Sequence, residues 1–457
     1  MSAAAPADAG PYNFPPGPKY PKIFQSLGML TRLIPYGMKM RDKYGDAFTL
    51  DIIGFGKFVV LSDPDLIKQT FTADAKALHA GEGSPLGAVL GSNSLLAIDE
   101  DRHLNQRRLL LPPFHGERMK QYEALIEEIA TEVIDSWPVG KEFQTIEYMQ
   151  LITLRAILQA VFGAHGGELE KLETLIPKWV TWASAMTQFP FMHRDLGRFS
   201  PWGHFLRLNR EVDEHLNELI AEARSDENLA DRVDVLAMLV QAKHEDDAPM
   251  TDQEIRDQLM TLLAAGHETT ASSLSWAVDR LRRHPEALAR LVQEVDDGGN
   301  AYRAATIHEV MRVRPVVAFS ARLIKKPFQL GEYLLPPGAR IALSATLAHT
   351  DPRLFEDPKA FKPERFLDTK PETYAWIPFG GGVRRCIGAA FAQMEMDVVL
   401  RVMLQRIELL PTDAPAENFK FRGVTYTPSK GGLAEVRRRD LSDSGAALER
   451  EAVPAGV

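Results

Sequence analysis

The chain contains one cysteine, Cys386, in the segment Phe379-Gly380-Gly381-Gly382-Val383-Arg384-Arg385-Cys386-Ile387-Gly388. Three glycines permit a tight backbone and the close approach of something flat or bulky. Cys386 is expected at the start of a helix, beside two arginines, and both features favour thiolate over thiol. Such a sulfur can be a nucleophile, a metal ligand or a small buried apolar side chain. A nucleophilic cysteine needs a nearby base, and this segment nominates none. Iron held in a macrocycle needs only one protein sulfur, which fits a single-cysteine chain. A lone thiol excludes an internal disulfide and a multi-cysteine zinc site.

Other groupings could also do chemistry. Glu268 and Thr269 form an acid–alcohol pair, suited to relaying protons and ordering water, within Ala265-Gly266-His267-Glu268-Thr269-Thr270. A helical threonine can instead bond back to the carbonyl one turn earlier. His103 and Arg107 are four apart, and Glu309 and Arg312 three apart, so each pair shares a helix face. His267-Glu268 and His308-Glu309 begin like a zinc-protease motif. The fifth residue is Ala271 or Arg312 rather than histidine, so neither qualifies. No dinucleotide or phosphate-binding glycine loop is present, so no nicotinamide, flavin or ATP domain is visible.

Several elements must position these residues. Phe48, Leu50 and Ile52, then Phe58 to Leu61, flank Gly54-Phe55-Gly56 and predict a β-hairpin. Asp63-Pro64 opens a short helix, and residues 79–97 read as a long loop. From Glu100 to Val295 the pattern is helical, broken at prolines and glycines. The best helix starts at Thr251, which forms a capping box with Glu254. Ile255, Leu259, Leu262, Gly266, Thr270, Leu274, Ala277 and Leu281 line one face of it, over a span of roughly 45 Å. Beyond Pro315, Phe328 to Leu335 and Ile341 to Leu347 suggest strands, and residues 351–385 a coil. A last helix starts near Cys386, carrying Phe391, Met394, Val398 and Val402. The fold class is mainly α with a minor β part (α+β).

The segment Phe379-x-x-Gly382-x-Arg384-x-Cys386-x-Gly388 resembles the haem-binding signature of the cytochrome P-450 family, of the soluble bacterial type. Ala265 to Thr270 resembles the family's oxygen-activating motif, Glu309-x-x-Arg312 its Glu-x-x-Arg pair, and Pro363-Glu364-Arg365-Phe366 the segment that completes that pair. The four occur in the family's order, and the resemblance spans residues 15–436. It implies a haem-thiolate monooxygenase with haem b (iron protoporphyrin IX) and Cys386 as the axial iron ligand. A thiolate there favours O–O cleavage. His103, Arg107, Arg322 and Arg384 would contact the propionates. Gly382 and Gly388 would lie against the porphyrin, with Phe379 near the sulfur. Ala265 and its small neighbours would let the long helix approach the haem plane, placing Glu268 and Thr269 for catalysis. Glu309, Arg312 and Arg365 would form a structural ion triad.

The resemblance places substrate contacts in mostly apolar segments: Leu86, Val89, Leu90, Leu263, Val316, Val317 and Phe319. The expected substrate is a hydrophobic small molecule such as a terpenoid, steroid or fatty chain, oxidised with O2. Trp179, Trp182, Phe189 and Phe191 read equally as a mobile lid or as core. Electrons must come from a separate ferredoxin or flavodoxin-type protein. Arg107, Arg108, Arg118, Lys120 and Arg385 form either its docking patch or a scatter of solvated charges. A peroxide-using enzyme and a non-catalytic haem or ligand-binding protein are the alternatives.

Composition bounds the rest. The 457 residues are 45% hydrophobic and 25% charged, with a net charge of −9. No basic footprint for nucleic acid exists globally, and no apolar run approaches the roughly 18 residues of a membrane span. No secretory signal is readable, so a cytoplasmic location is expected. Residues 1–14 and 437–457 are expected as flexible tails around a single catalytic domain, 15–436.

Overall fold

Thr251 accepts the backbone N–H of Glu254, and the Glu254 carboxylate accepts that of Thr251, so the capping box forms as expected. In the computed structural model it opens a 31-residue helix, Asp252–Arg282, around which the other helices pack. The structure describes residues 12–439 except 115, 117, 164, 165, 189–191, 195, 198 and 423; the side chains of Arg118 and Gly166 are also outside the description.

The helix Thr145–Phe162 packs along this central helix, and the Thr153 hydroxyl donates to the carbonyl of His267 at 2.9 Å. Around the pair stand Arg118–Asp135, Gly166–Gln188, Pro201–Ser225, Pro285–Asp296, Ala301–Val313 and Ala389–Arg406. Their apolar faces merge in one large core.

The β part, among the described residues, is a mixed five-stranded sheet and four two-stranded ones. The strand order of the large sheet is Ala47–Ile52, Gly56–Leu61, Arg340–Ser344, Phe319–Ile324, Leu78–His79. The first two form the expected hairpin, Ala47 opposite Leu61. Gly56–Leu61 runs parallel to Arg340–Ser344, and the other pairings are antiparallel. The sheet has its own apolar clusters, so helical and sheet regions meet along a seam that carries the cysteine loop.

Four details depart from the sequence reading. Residues 79–97 contain a helical turn, Leu86–Leu90, that packs against the core. The strand expected through Leu347 ends at Ser344, whose hydroxyl accepts from the N–H of Leu347 and turns Ala345–Ala348 into a helix. At the front, Asn13 bonds to the strand Tyr333–Leu335, so residues 12–14 are held rather than free. At the back, Val436–Arg438 pairs with Ile407–Leu409, so order extends past residue 436. The remainder of both expected tails lies outside the described residues. Among the described residues no helix is long and apolar enough to cross a membrane.

Candidate active site

The cysteine loop is closed by its own backbone. The N–H of Cys386 donates to the carbonyl of Phe379 at 3.0 Å, around a 3-10 turn at Gly382–Arg384. The Phe379 ring meets Trp376 edge-on. Gly382 has φ +62, and a Cβ there would stand 2.0 Å from the carbonyl oxygen of Phe71. Its close neighbour is therefore the backbone of the helix Pro64–Phe71, which accounts for the glycine without any ligand. Gly388 behaves differently: a Cβ there would meet nothing within 4 Å.

Packing lapses at two places, in the central helix and in this loop. The central helix is buried almost throughout from Ile255 to Arg282, except at Ala264, Ala265, Gly266 and Thr269, of which Ala265 is exposed. Cys386 is also exposed. One residue beyond Thr269 the two helices meet, where Thr270 lies beside Glu395 on Ala389–Arg406. Both Glu395 oxygens are buried there without a hydrogen bond of ordinary geometry. A single helix turn exposed in the middle of a buried helix marks a gap in the core.

The thiol does not sit as the sequence implied. Cys386 precedes the helix Ala389–Arg406 by three residues. Its own surface is exposed, yet the loop around it lies deep in the protein. Burial raises the Cys386 pKa above the ordinary thiol value; the Gly388 N–H and the charges of Arg107 and Arg385 oppose this only in part. The protein alone therefore favours thiol, and a bound metal ion is what would deprotonate it.

Cations gather beside the loop. His103, Arg322 and Arg384 line one pocket with Phe71 and Gly381. Arg384 donates to the carbonyls of Leu95 and Ile98 and pairs with Asp99. Asp99 also accepts the backbone N–H groups of Ala80, Gly81 and Glu82, pinning the preceding loop. Burial, then the charge of Arg384, lowers Arg322 to about 10. His103 is pushed down to about 3 by burial, then by Arg384 and Arg107. It is thus a neutral donor at pH 7. Among the described residues neither Arg107 nor Arg322 has a carboxylate within ion-pair distance. Asp99 pairs with Arg384 alone, leaving the charges of Arg107 and Arg322 uncompensated. A ligand with two carboxylates, a flat body to fill the gap and a metal for Cys386 fits this donor set, and haem has all three.

Glu268 and Thr269 diverge. Thr269 borders the gap, but its hydroxyl donates back to the carbonyl of Ala265 at 2.7 Å, leaving its oxygen free only to accept. Glu268 is buried against the helix Thr145–Phe162. Gln150 donates to its Oε2 at 2.8 Å. Arg422 Nε stands 3.2 Å from Oε1, off the line of a hydrogen bond, so that oxygen is paired in charge only. Burial raises the Glu268 pKa, and Arg422 and Gln150 pull against it. Neither partner was singled out in the sequence: each is isolated from the motif and reaches it only through folding.

Glu309, Arg312 and Arg365 are brought together. Arg312 forks onto both Glu309 oxygens at 2.7 Å, and Arg365 Nε lies 3.1 Å from Oε2. Arg312 also donates to the carbonyls of His349, Pro358 and Ala360. His349, which no sequence motif marked, extends this network to Ile377, two residues before the cysteine loop.

The remaining expectations divide. Val89, Leu90 and Leu263 are core residues, whereas Phe319 is exposed. Trp179 is core, with its Nε1 donating to Asn209; Trp182 is half-buried, its ring tilted against that of His204. Phe189 and Phe191 lie outside the described residues. In the basic patch, Arg385 is exposed, Arg107 is half-buried and Arg108 pairs with Glu245; the side chain of Arg118 is not described.

The fold and this site define a haem-thiolate monooxygenase. The family model for cytochrome P-450 matches residues 15–434, and the chain belongs to that family. Cytochrome P-450 138 of Mycobacterium tuberculosis is 47% identical over 428 residues, covering 93% of this chain and 96% of that protein. Cytochrome P-450 135B1 of the same organism is 40% identical over 440 residues, covering 94% and 92%. Among solved structures, the retinoic acid-bound cyanobacterial CYP120A1 superposes with a TM-score of 0.82 at 22% identity, covering 94% of this chain and all of that one. A cytochrome P-450DA heme domain gives 0.80 at 24% identity, covering 94% and 98%. At such identities the likeness is one of fold.

Proposed function

We propose that this enzyme binds haem b through Cys386 and oxidises a hydrophobic small molecule, inserting one oxygen atom from O2. The observation that carries this is the break in burial at Ala264, Ala265, Gly266 and Thr269 of an otherwise buried helix, in a protein whose sole cysteine is also exposed. When bound, the haem iron supplies O2 activation and oxygen transfer to the substrate.

The chain's own residues do the rest. Arg107, Arg322 and Arg384 hold the propionates by charge, and neutral His103 by donation. Ala265 keeps the central helix from filling the haem's space, while Gly266 lets the helix Thr145–Phe162 close on its other side, where a Cβ would stand 3.1 Å from Ile157. Thr269 orders water beside the reacting centre, and Glu268 carries protons inward from the Arg422 side. Apolar walls, with Val316, Val317 and Phe319 at the sheet side, select an apolar substrate and exclude water. Electrons come from a separate ferredoxin or flavodoxin-type protein, with Arg385 on its docking face. A cytoplasmic setting keeps the single thiol reduced.

The test is a spectral screen of the purified holoprotein against apolar and charged ligands, followed by product analysis with NAD(P)H, ferredoxin and reductase. Apolar ligands are expected to shift the Soret band and to yield an oxygenated product. Cys386→Ala is expected to lose the thiolate-type carbon monoxide spectrum of the reduced protein. Displacement by charged molecules alone would overturn the substrate class. Turnover with peroxide only would overturn the need for a redox partner, and an unchanged Cys386→Ala spectrum the iron assignment.

A further inference from the structure

The N-terminal helix Lys22–Tyr44 is two pieces. Arg32 leaves helical geometry (φ −145, ψ 44), and Pro35 follows inside the second piece. The first piece is packed the wrong way round for a soluble surface helix. Its buried residue is the polar Gln25, 3% exposed. Ile23, Phe24, Leu27 and Leu30 are 58%, 60%, 54% and 66% exposed. The inversion is fixed by specific bonds. Gln25 donates to the carbonyls of Pro18 and Tyr20 and accepts the N–H of Asp51, while Ser26 accepts the N–H of Ile53. These bonds lock the apolar face outward and set it beside exposed Ile53 at the hairpin tip.

Charge says what covers it. Residues 12–41 contain Lys19, Lys22, Arg32, Lys39 and Arg41 and no acidic residue, in a chain of net charge −9. All but Arg41 are exposed. A second copy docking through the same face would set like charges against each other. Large apolar side chains outward and a cationic rim are instead the pattern of a helix that lies in the interface of an anionic bilayer. The apolar surface continues inward across the break: Met29, Leu33 and Ile34 line a cleft with Phe48, Val60 and Phe319.

We propose that residues 19–32 form a peripheral docking face for an anionic lipid surface. The face does not depend on haem binding, so its test stands apart from the enzymatic reading. The full-length holoprotein is mixed with sedimenting vesicles of phosphatidylcholine alone, or with one third phosphatidylglycerol, at low and high salt. Binding to the anionic vesicles is expected to exceed binding to the neutral ones by roughly tenfold or more and to weaken with salt. The combined variant Ile23→Ser, Phe24→Ser, Leu27→Ser, Leu30→Ser is expected to lose it while keeping the wild-type carbon monoxide spectrum and melting temperature. Lys19→Glu with Lys22→Glu is expected to remove the preference for anionic lipid. Absence of wild-type binding to either vesicle overturns the proposal, as does undiminished binding by the serine variant. So does a wild-type dimer, seen by sedimentation without lipid, that the serine variant abolishes.

Discussion

The Nε2 atom of His349 accepts the backbone N–H of Ile377 at 2.9 Å. Its Nδ1 lies 3.2 Å from the carbonyl of Arg312, so the ring carries one proton, on Nδ1, and is neutral. His349 thereby joins the Glu309–Arg312 ion pair to the strand of coil that enters the cysteine loop.

Acid should break this joint. Burial, followed by the Arg312 charge, pushes His349 down to about 3, whereas an unfolded histidine titrates near about 6.5. Between those values the unfolded chain binds the extra proton. The stabilisation is therefore complete above about pH 6.5 and is lost as pH falls towards 3. His103 has the same sign. The melting temperature of the holoprotein should drop more steeply between pH 7 and 5 in wild type than in His349→Gln. The variant should also lose about 1–3 kcal/mol at pH 7 where its amide fails to meet Ile377. Parallel pH curves would exclude His349 from the acid response.

Arg322 tests the charge argument for the haem cradle. It is buried, faces Phe71 and has no carboxylate of its own. Removing a charge-assisted contact of this kind costs about 1.5–3 kcal/mol. Arg322→Ala should accordingly release haem to apomyoglobin roughly 10- to 100-fold faster than wild type, with the thiolate-type spectrum intact until release. Equal release rates would mean the propionates are held elsewhere.

The two glycines flanking Cys386 should respond oppositely. Gly382→Ala forces a positive φ on a side chain whose Cβ meets the Phe71 carbonyl. The loop must shift, and the variant should melt several degrees lower and bind little haem. Gly388→Ala meets open space at φ −86. The haem-free variant should keep wild-type stability and change only haem affinity or the Soret position. Equal melting losses in both variants would contradict the gap beside Gly388.

Local chemistry made some of this legible and tertiary packing concealed the rest. The capping box at Thr251 and Glu254, the glycine-turned hairpin and the proximity of Glu309 to Arg312 follow from neighbours within a few residues. The haem-loop resemblance located Cys386 and the basic side chains. It could not give the neutral state of His103 or the raised thiol pKa of Cys386, because both depend on how much protein surrounds them. His349, Gln150, Arg422 and Asp99 stand in no motif. Each acts through a partner at least 17 positions away in sequence, where spacing carries no signal. The turn at Ala265 is expected to meet a ligand only through the family resemblance; its own pattern is that of a helix interior.

Glu268 and Arg422 define the last prediction. Thr269 spends its proton on the Ala265 carbonyl, so the neighbouring buried carboxylate of Glu268 is the group able to take up and release one. Glu268→Gln keeps the shape and removes that capacity. Product formation driven by NAD(P)H should fall about 100-fold, with NAD(P)H consumption no longer matched to product. Turnover driven by added peroxide, which brings its own protons, should persist. Arg422 lowers the Glu268 pKa, so Arg422→Gln lets it rise further. The acid limb of the NAD(P)H-driven rate, where Glu268 ionises, should then move to higher pH, with substrate-induced spectra unchanged. A structural role for the pair would instead impair both turnover routes alike and leave the pH limb in place.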